Sequence, residues 1–232
     1  MNELDRSVML ALNFDGGPVM DAVMWFASGI PNWIPLYLAV LYIVYRNYGW
    51  KYMLFALLFV GLGVGLCDQV CNFFKRNVPY LRPTHTEDML PYLHTVKGYL
   101  GGLMGTVSGH ASTSFCIFLF TSLAVRRRWF TWMMLTYTLL TSYSRIYLGV
   151  HWPFQILFGW ILGLLVALLM WYLFSRLNDR YHWEVPRTKR EAARPFGGGR
   201  QTLPALRRVS VEAGLPAGPV VSLHGVSVRP GK

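Results

Sequence analysis

The sequence predicts an all-α fold: a polytopic transmembrane helix bundle with about five spanning helices and N-terminal interfacial helices. Three observations predict it. Hydrophobic residues make up 53% of the chain and charged residues 14%, a balance far from that of a soluble domain. Apolar runs of roughly spanning length recur between residues 32 and 174. The charges gather in short links between those runs and in the C-terminal tail. The formal charge of +11 is therefore not the footprint of a nucleic-acid interface. Basic residues in such links set topology or meet anionic lipid.

Residues 3–14 read as a short amphipathic helix with Leu4, Val8, Ala11 and Leu12 on one face, ended by Asp15-Gly16-Gly17-Pro18. Residues 19–29 are apolar but too short to span, so both segments are expected in the interface. Asn32 to Tyr48 is the first expected span and Tyr52 to Phe74 the second. Gly61, Gly63 and Gly65 in the second would permit close helix contact. Asp68 within it is costly in a membrane. It shares a helical face with Asn72 and Lys75, so it is expected to support Lys75.

Residues 76–110 carry several Pro and Gly and read as a partly helical functional loop. Ser112 to Val125, starting near Ser108, is the third span, closed by Arg126-Arg127-Arg128. Phe130 to Tyr147 is the fourth, and Pro153 to Phe174 the fifth, with Pro153 in a first turn that needs no N–H from it. Residues 1–179 thus form one membrane-embedded domain. Residues 180–232, where Lys and Arg outnumber Asp and Glu about threefold, form a basic tail without apolar period, expected to be disordered. The acidic start Met1-Asn2-Glu3-Leu4-Asp5-Arg6 is not expected to be a cleaved signal.

Cys67, Cys71 and Cys116 lack a His or further Cys to complete a metal set and are expected as buried thiols. Glu87 and Asp88 read as a solvated loop face. Neither a metal nor another cofactor is expected.

Three stretches carry chemistry. Lys75 to Pro83 reads Lys-x6-Arg-Pro, Val107 to His110 reads Val-Ser-Gly-His, and Ser144 to Gln155 reads Ser-Arg-x5-His-x3-Gln. With one side of the membrane chosen by the positive-inside tendency, all three fall at the same, outer face. Together they supply cations, a Ser, a Gly and two His, with no carboxylate or Cys. That set suits holding a phosphate group and attacking it with a nitrogen nucleophile.

These stretches resemble, in order, the three signatures of the type 2 phosphatidic acid phosphatase (lipid phosphate phosphatase) superfamily. The resemblance covers about residues 50–175. Val107 stands where the family pattern has Pro, and Gln155 where it usually has Asp. Branches similar to glucose-6-phosphatase and dolichyl diphosphatase also carry Gln there. The resemblance implies His151 as nucleophile and His110 as the proton donor to the leaving oxygen. It implies Lys75, Arg82, Ser108, Gly109 and Arg145 as phosphate ligands, with Gln155 orienting His151. It implies a lipid phosphate substrate met among membrane lipids. The first choice is undecaprenyl diphosphate, with lipid A phosphate and phosphatidylglycerophosphate next. A lipid phosphotransferase and a non-catalytic lipid-phosphate-binding protein are the other readings. The expected location is a bacterial inner membrane, site outward and C-terminus cytoplasmic.

Overall fold

A computed structural model describes residues 3–184. The tail from residue 185 onward lies outside them. Seven α-helices and no strand occur among the described residues. They are α1 (Glu3–Leu12), α2 (Gly17–Ser28), α3 (Ile34–Tyr48), α4 (Trp50–Asn77), α5 (Gly109–Val125), α6 (Arg128–Tyr147) and α7 (Pro153–Tyr181). Helix α5 packs against α4, α6 and α7 and is the axis of the bundle.

Two helices are long and apolar enough to cross a membrane, α4 with 28 residues and α7 with 29. At 1.5 Å per residue each reaches roughly 40 Å, more than a hydrocarbon core of about 30 Å. Large side chains stud their outer faces, among them Leu58, Leu62, Phe158, Ile161, Leu165 and Leu169. A helix apolar on its exposed face is built to meet lipid. A third crossing exists if α2 and the Ile30–Tyr48 segment count as one, but these are bent by 82° at Gly29. Length and apolarity thus identify fewer spans than the five expected. Helix α5 has only 17 residues, and α6 carries its polar Thr, Ser and Tyr side chains toward neighbours rather than presenting a fully apolar run. Helix α7 also runs seven residues past its expected end at Phe174. Ser175-Arg176-Leu177-Asn178-Asp179 continue the helix, as they are able to outside an apolar run.

The tightest helix contact is not where the glycines of α4 suggested. A Cβ at Gly61 or Gly65 would meet nothing within 4 Å, and only Gly63 faces a neighbour, Cys116 Sγ. The close approach is between α7 and α5. A Cβ at Gly159 would lie 2.8 Å from Ala111 Cβ and Ser108 O, and one at Gly163 would lie 2.5 Å from Ser112 O. In lipid, association rests on such close packing because the surroundings are as apolar as the helices. This small-residue seam presses the start of α5 onto the start of α7. The three cysteines are free and buried, as expected.

Residues 78–108 close over the end of the bundle with two short 3-10 turns, Pro83–His85 and Leu90–Tyr92, and one bridge between Leu81 and Met104. The Arg126 to Arg128 cluster makes the turn between α5 and α6. Arg126 adopts φ 53° there as the C-cap of α5.

Candidate active site

Helices α4 and α6 end, and α5 and α7 begin, at one end of the bundle. Lys75 lies in the last turn of α4 and Arg145 in the last turn of α6. Ser108 is the N-cap of α5, its hydroxyl accepting from the Ala111 N–H at 3.4 Å. Gly109 and His110 follow in that first turn. Gln155 lies in the first turn of α7. The Ser108 N–H donates to the Gln155 carbonyl at 3.1 Å, tying the two helix starts together. Six of the eight residues expected from the sequence therefore fall at one place, and Arg82 and His151 join them from the two connecting segments.

His151 occupies the link between α6 and α7, which the backbone pins closely. The N–H groups of Val150 and His151 both donate to the Arg145 carbonyl, at 3.0 and 3.2 Å. Gly149 turns the chain with φ 75°, and a Cβ there would crowd Thr84 Cγ2 at 3.2 Å. His151 is 2% exposed. Its Nδ1 lies 2.7 Å from Gln155 Oε1. The same oxygen faces the Trp152 N–H at 3.4 Å. That N–H has only a proton to offer, so the facing atom is the amide oxygen, and Nδ1 of His151 is the donor to it. The tautomer that follows leaves Nε2 without a proton.

The electrostatics keep it so. Burial, then the nearby Arg145 and Arg82 guanidinium groups, push the His151 imidazole well below the ordinary histidine range, and the bond to Gln155 draws it back only partly. The neutral ring is the nucleophilic one. Arg145, Arg82 and Lys75 also all lie within electrostatic reach of His110. Among the described residues no carboxylate pairs with any of these three cations.

Each arginine is held from behind. Arg82 Nε donates to the Met104 carbonyl at 3.0 Å, with Gly101 and Gly105 leaving room for its side chain. Arg145 is 4% exposed, its Nη1 donates to the Ser28 hydroxyl, and Tyr99 stands beside it. Two buried donors, Arg145 Nε and Gln155 Nε2, have no acceptor among the described residues. Unmet buried donors are uncommon in folded proteins. Here they adjoin an uncompensated cation cluster at the N-terminus of a long helix, the arrangement that takes an oxyanion. A Cβ at Gly109 would meet no atom within 4 Å, so the space beside that turn is open.

Residues 49–179 match the PAP2 superfamily. The chain belongs to that superfamily. It is accordingly a membrane lipid phosphatase. Two curated relatives are each named lipid A 4′-phosphatase. One, from Bacteroides thetaiotaomicron, is 31% identical over 80% of this chain and 84% of its own length. The other, from Porphyromonas gingivalis, is 35% identical over 75% of both chains. An undecaprenyl-diphosphatase from Sulfolobus acidocaldarius is 40% identical, but over 27% of this chain and 30% of its own. The crystal structure of Aquifex aeolicus LpxE shares the fold, with a TM-score of 0.55 at 20% identity over 72% of this chain and 94% of that one.

The PAP2 match begins at residue 49, yet residues before it hold the site together, and the sequence reading did not single them out. The buried Asp5 carboxylate accepts from the Phe154 N–H at 3.1 Å, capping α7 from another helix. Asn13 Nδ2 donates to the carbonyls of Ile146, Tyr147 and His94, at 3.1, 2.7 and 3.1 Å, and its Oδ1 accepts from the His94 N–H at 2.8 Å. The Ser28 main chain faces His110 as a hydrogen-bond acceptor while its side chain receives Arg145. The visible signal was a polar Asp and Asn in an otherwise amphipathic opening segment.

Asp15, Asp21 and His94 also converge closely enough to hold one cation. Their contacts are already made within the protein. Asp21 accepts from the Tyr147 hydroxyl at 2.6 Å and lies 2.8 Å from His94 Nε2, bracing the end of α6. Asp68, expected to support Lys75, instead accepts from Asn72 Nδ2 at 2.9 Å, and no ion pair joins it to Lys75. Glu87 and Asp88 are exposed loop residues.

Proposed function

We propose that this PAP2 protein hydrolyses the phosphate monoester of a lipid A-type glycolipid. Relatives matched over three quarters or more of the chain carry that activity in their names, which favours it over undecaprenyl diphosphate, the first choice from sequence. The observation that carries the catalytic reading is the His151–Gln155 bond, which leaves Nε2 free beside a cluster of unpaired cations.

In this reading His151 Nε2 attacks phosphorus as the bond to the leaving oxygen breaks, and His110 gives that oxygen its proton. Lys75, Arg82 and Arg145 stabilise the charge on the equatorial oxygens, with Ser108 and the Gly109 N–H as neutral donors. Water then attacks the phosphohistidine. His110 takes its proton, the N–P bond breaks and phosphate leaves.

The helix directions support a topology with α3 to α7 as five crossings. Both site-bearing segments lie at one end and the Arg126 to Arg128 turn at the other. The positive-inside tendency makes that turn cytoplasmic and the site external in a bacterial inner membrane.

Purified protein in detergent tests the substrate. It should release phosphate from lipid A 4′-phosphate with a higher kcat/KM than from undecaprenyl diphosphate or phosphatidylglycerophosphate. His151→Ala should release none while retaining the wild-type melting temperature. A higher kcat/KM on undecaprenyl diphosphate would overturn the lipid A reading. Turnover by the alanine variant would overturn the nucleophile.

A further inference from the structure

A half-open cleft of about 440 Å³ runs from His110 along the bundle, walled by the α2–α3 bend, α4, α5 and α6. It is of the size that takes a ligand. It follows α5 from His110 to Ala124, fourteen residues and roughly 21 Å. Its far portion, with Val40, Val44, Leu57 and Phe120, is apolar. Its near portion is not.

Asp68 lies on the α4 wall. Its level can be fixed from its neighbours. Cys67 Sγ lies 3.8 Å from Ser112 O and Cys71 Sγ lies 3.4 Å from Ser112 Oγ. Asp68 therefore stands level with Ser112, within a helical turn of His110. One carboxyl oxygen takes the Asn72 amide, and the other has no partner among the described residues. Thr141 faces the same space from α6, one turn below Arg145. Its hydroxyl is buried, with no hydrogen-bond partner. An exposed carboxylate and a buried, unmet hydroxyl thus face the place where an apolar slot joins the phosphate site. An ionisable residue within a helix long and apolar enough to span marks function more often than structure.

We propose that the cavity receives one acyl chain of the substrate, and that Asp68 and Thr141 recognise a hydroxyl or amide N–H carried on that chain close to the phosphorylated headgroup. The inference rests on the glycolipid phosphatase reading and deepens it. A polyprenyl chain carries no donor there, and a simple ester-linked chain carries none either. The occupant is a chain rather than a second protein, because the slot is continuous with His110 and its far walls are apolar.

The test uses two synthetic acylated glucosamine phosphates that differ only in the presence or absence of a 3-hydroxyl on one acyl chain. The wild-type protein should favour the hydroxylated lipid by about tenfold or more in kcat/KM, since a site built to bond a hydroxyl rejects the analogue lacking it. Asp68→Leu should bring that ratio close to one, Asp68→Asn should retain part of it, and Thr141→Val should lower it. Melting temperatures confirm that each variant is folded. If the pair is not turned over, the same ratio is read from their competition against the best substrate of the panel. A wild-type ratio near one, or a ratio unchanged in Asp68→Leu, overturns the proposal. Faster hydrolysis of undecaprenyl diphosphate than of either lipid, with the pair ratio intact, would overturn the substrate reading alone.

Discussion

Replacing Gln155 by Leu removes the acceptor for His151 Nδ1–H, now 2.7 Å away inside a buried site. The ground-state cost is an unsatisfied buried N–H. In the transition state the ring gains positive charge, and the lost bond is then charge-assisted, worth about 1.5–3 kcal/mol. At 1.4 kcal/mol per tenfold, kcat should fall by roughly 10- to 150-fold. The loss of a fixed tautomer adds to this, so about 10²-fold is expected. Gln155→Asp accepts the same bond and should keep most of the activity, with a changed pH profile. In the wild-type free enzyme His151 is held neutral well below the ordinary histidine range. Its acid limb in kcat/KM therefore lies well below pH 6.5. A carboxylate at 155 favours the protonated ring, so that limb should move to higher pH. The sign for stability follows from the same depression. The unfolded histidine takes up a proton near pH 6.5 and the folded one resists, so wild-type stability should decline as pH falls through that value. Steady-state phosphate release between pH 4 and 9 measures both variants. A Leu variant as fast as wild type, or an Asp variant with an unmoved acid limb, would refute the orienting role.

Two further outcomes are expected. Asn13→Leu deletes two hydrogen bonds to the end of α6 and two to His94 and leaves buried carbonyls unmet, so it should destabilise by about 1–3 kcal/mol or more. A lowered melting temperature and a reduced kcat, with KM less affected, would show it; an unchanged melting temperature would remove Asn13 from the framework. A cysteine in place of Thr86, in a background lacking Cys67, Cys71 and Cys116, should react with a membrane-impermeant thiol reagent in intact cells, and labelling only after the membrane is opened would reverse the orientation.

The site was legible in the sequence because its three motifs sit at helix ends, where local signals are strong. The third helix reads as starting near Ser108, Pro153 as a first-turn residue, and the spacing from His151 to Gln155 as one helical turn. What was not legible depends on partners distant in sequence. Asp5 caps a helix 149 residues away, and Asn13 bonds carbonyls that any residue type would provide. The glycines of α4 and α7 look alike as letters, and only packing tells the lipid-facing Gly61 from the interfacial Gly159. The spacing of Asp68 offered both Asn72 and Lys75 as partners, and the shorter reach won. The number of crossings stayed open because α5 and α6 spend apolar positions on hydroxyls that serve the site and the bundle.

The shared carbonyl of Arg145 bears on how such a catalyst tolerates its solvent. A bilayer thins, thickens and shears, and helices that cross it tilt in response. Catalytic groups placed on separate helices would lose alignment with each such fluctuation. Here Arg145 and His151, the phosphate anchor and nucleophile of the proposed reaction, are six residues apart, with the His151 N–H bonded to the Arg145 carbonyl and the first turn of α7 clamped from another helix by Asp5. Deformation of the membrane is passed to the long outer portions of α6 and α7, while the distance between Arg145 and His151 is set by covalent geometry and a few short bonds. The pair to which the proposed reaction assigns anchor and attack is thereby mechanically insulated from the surrounding medium.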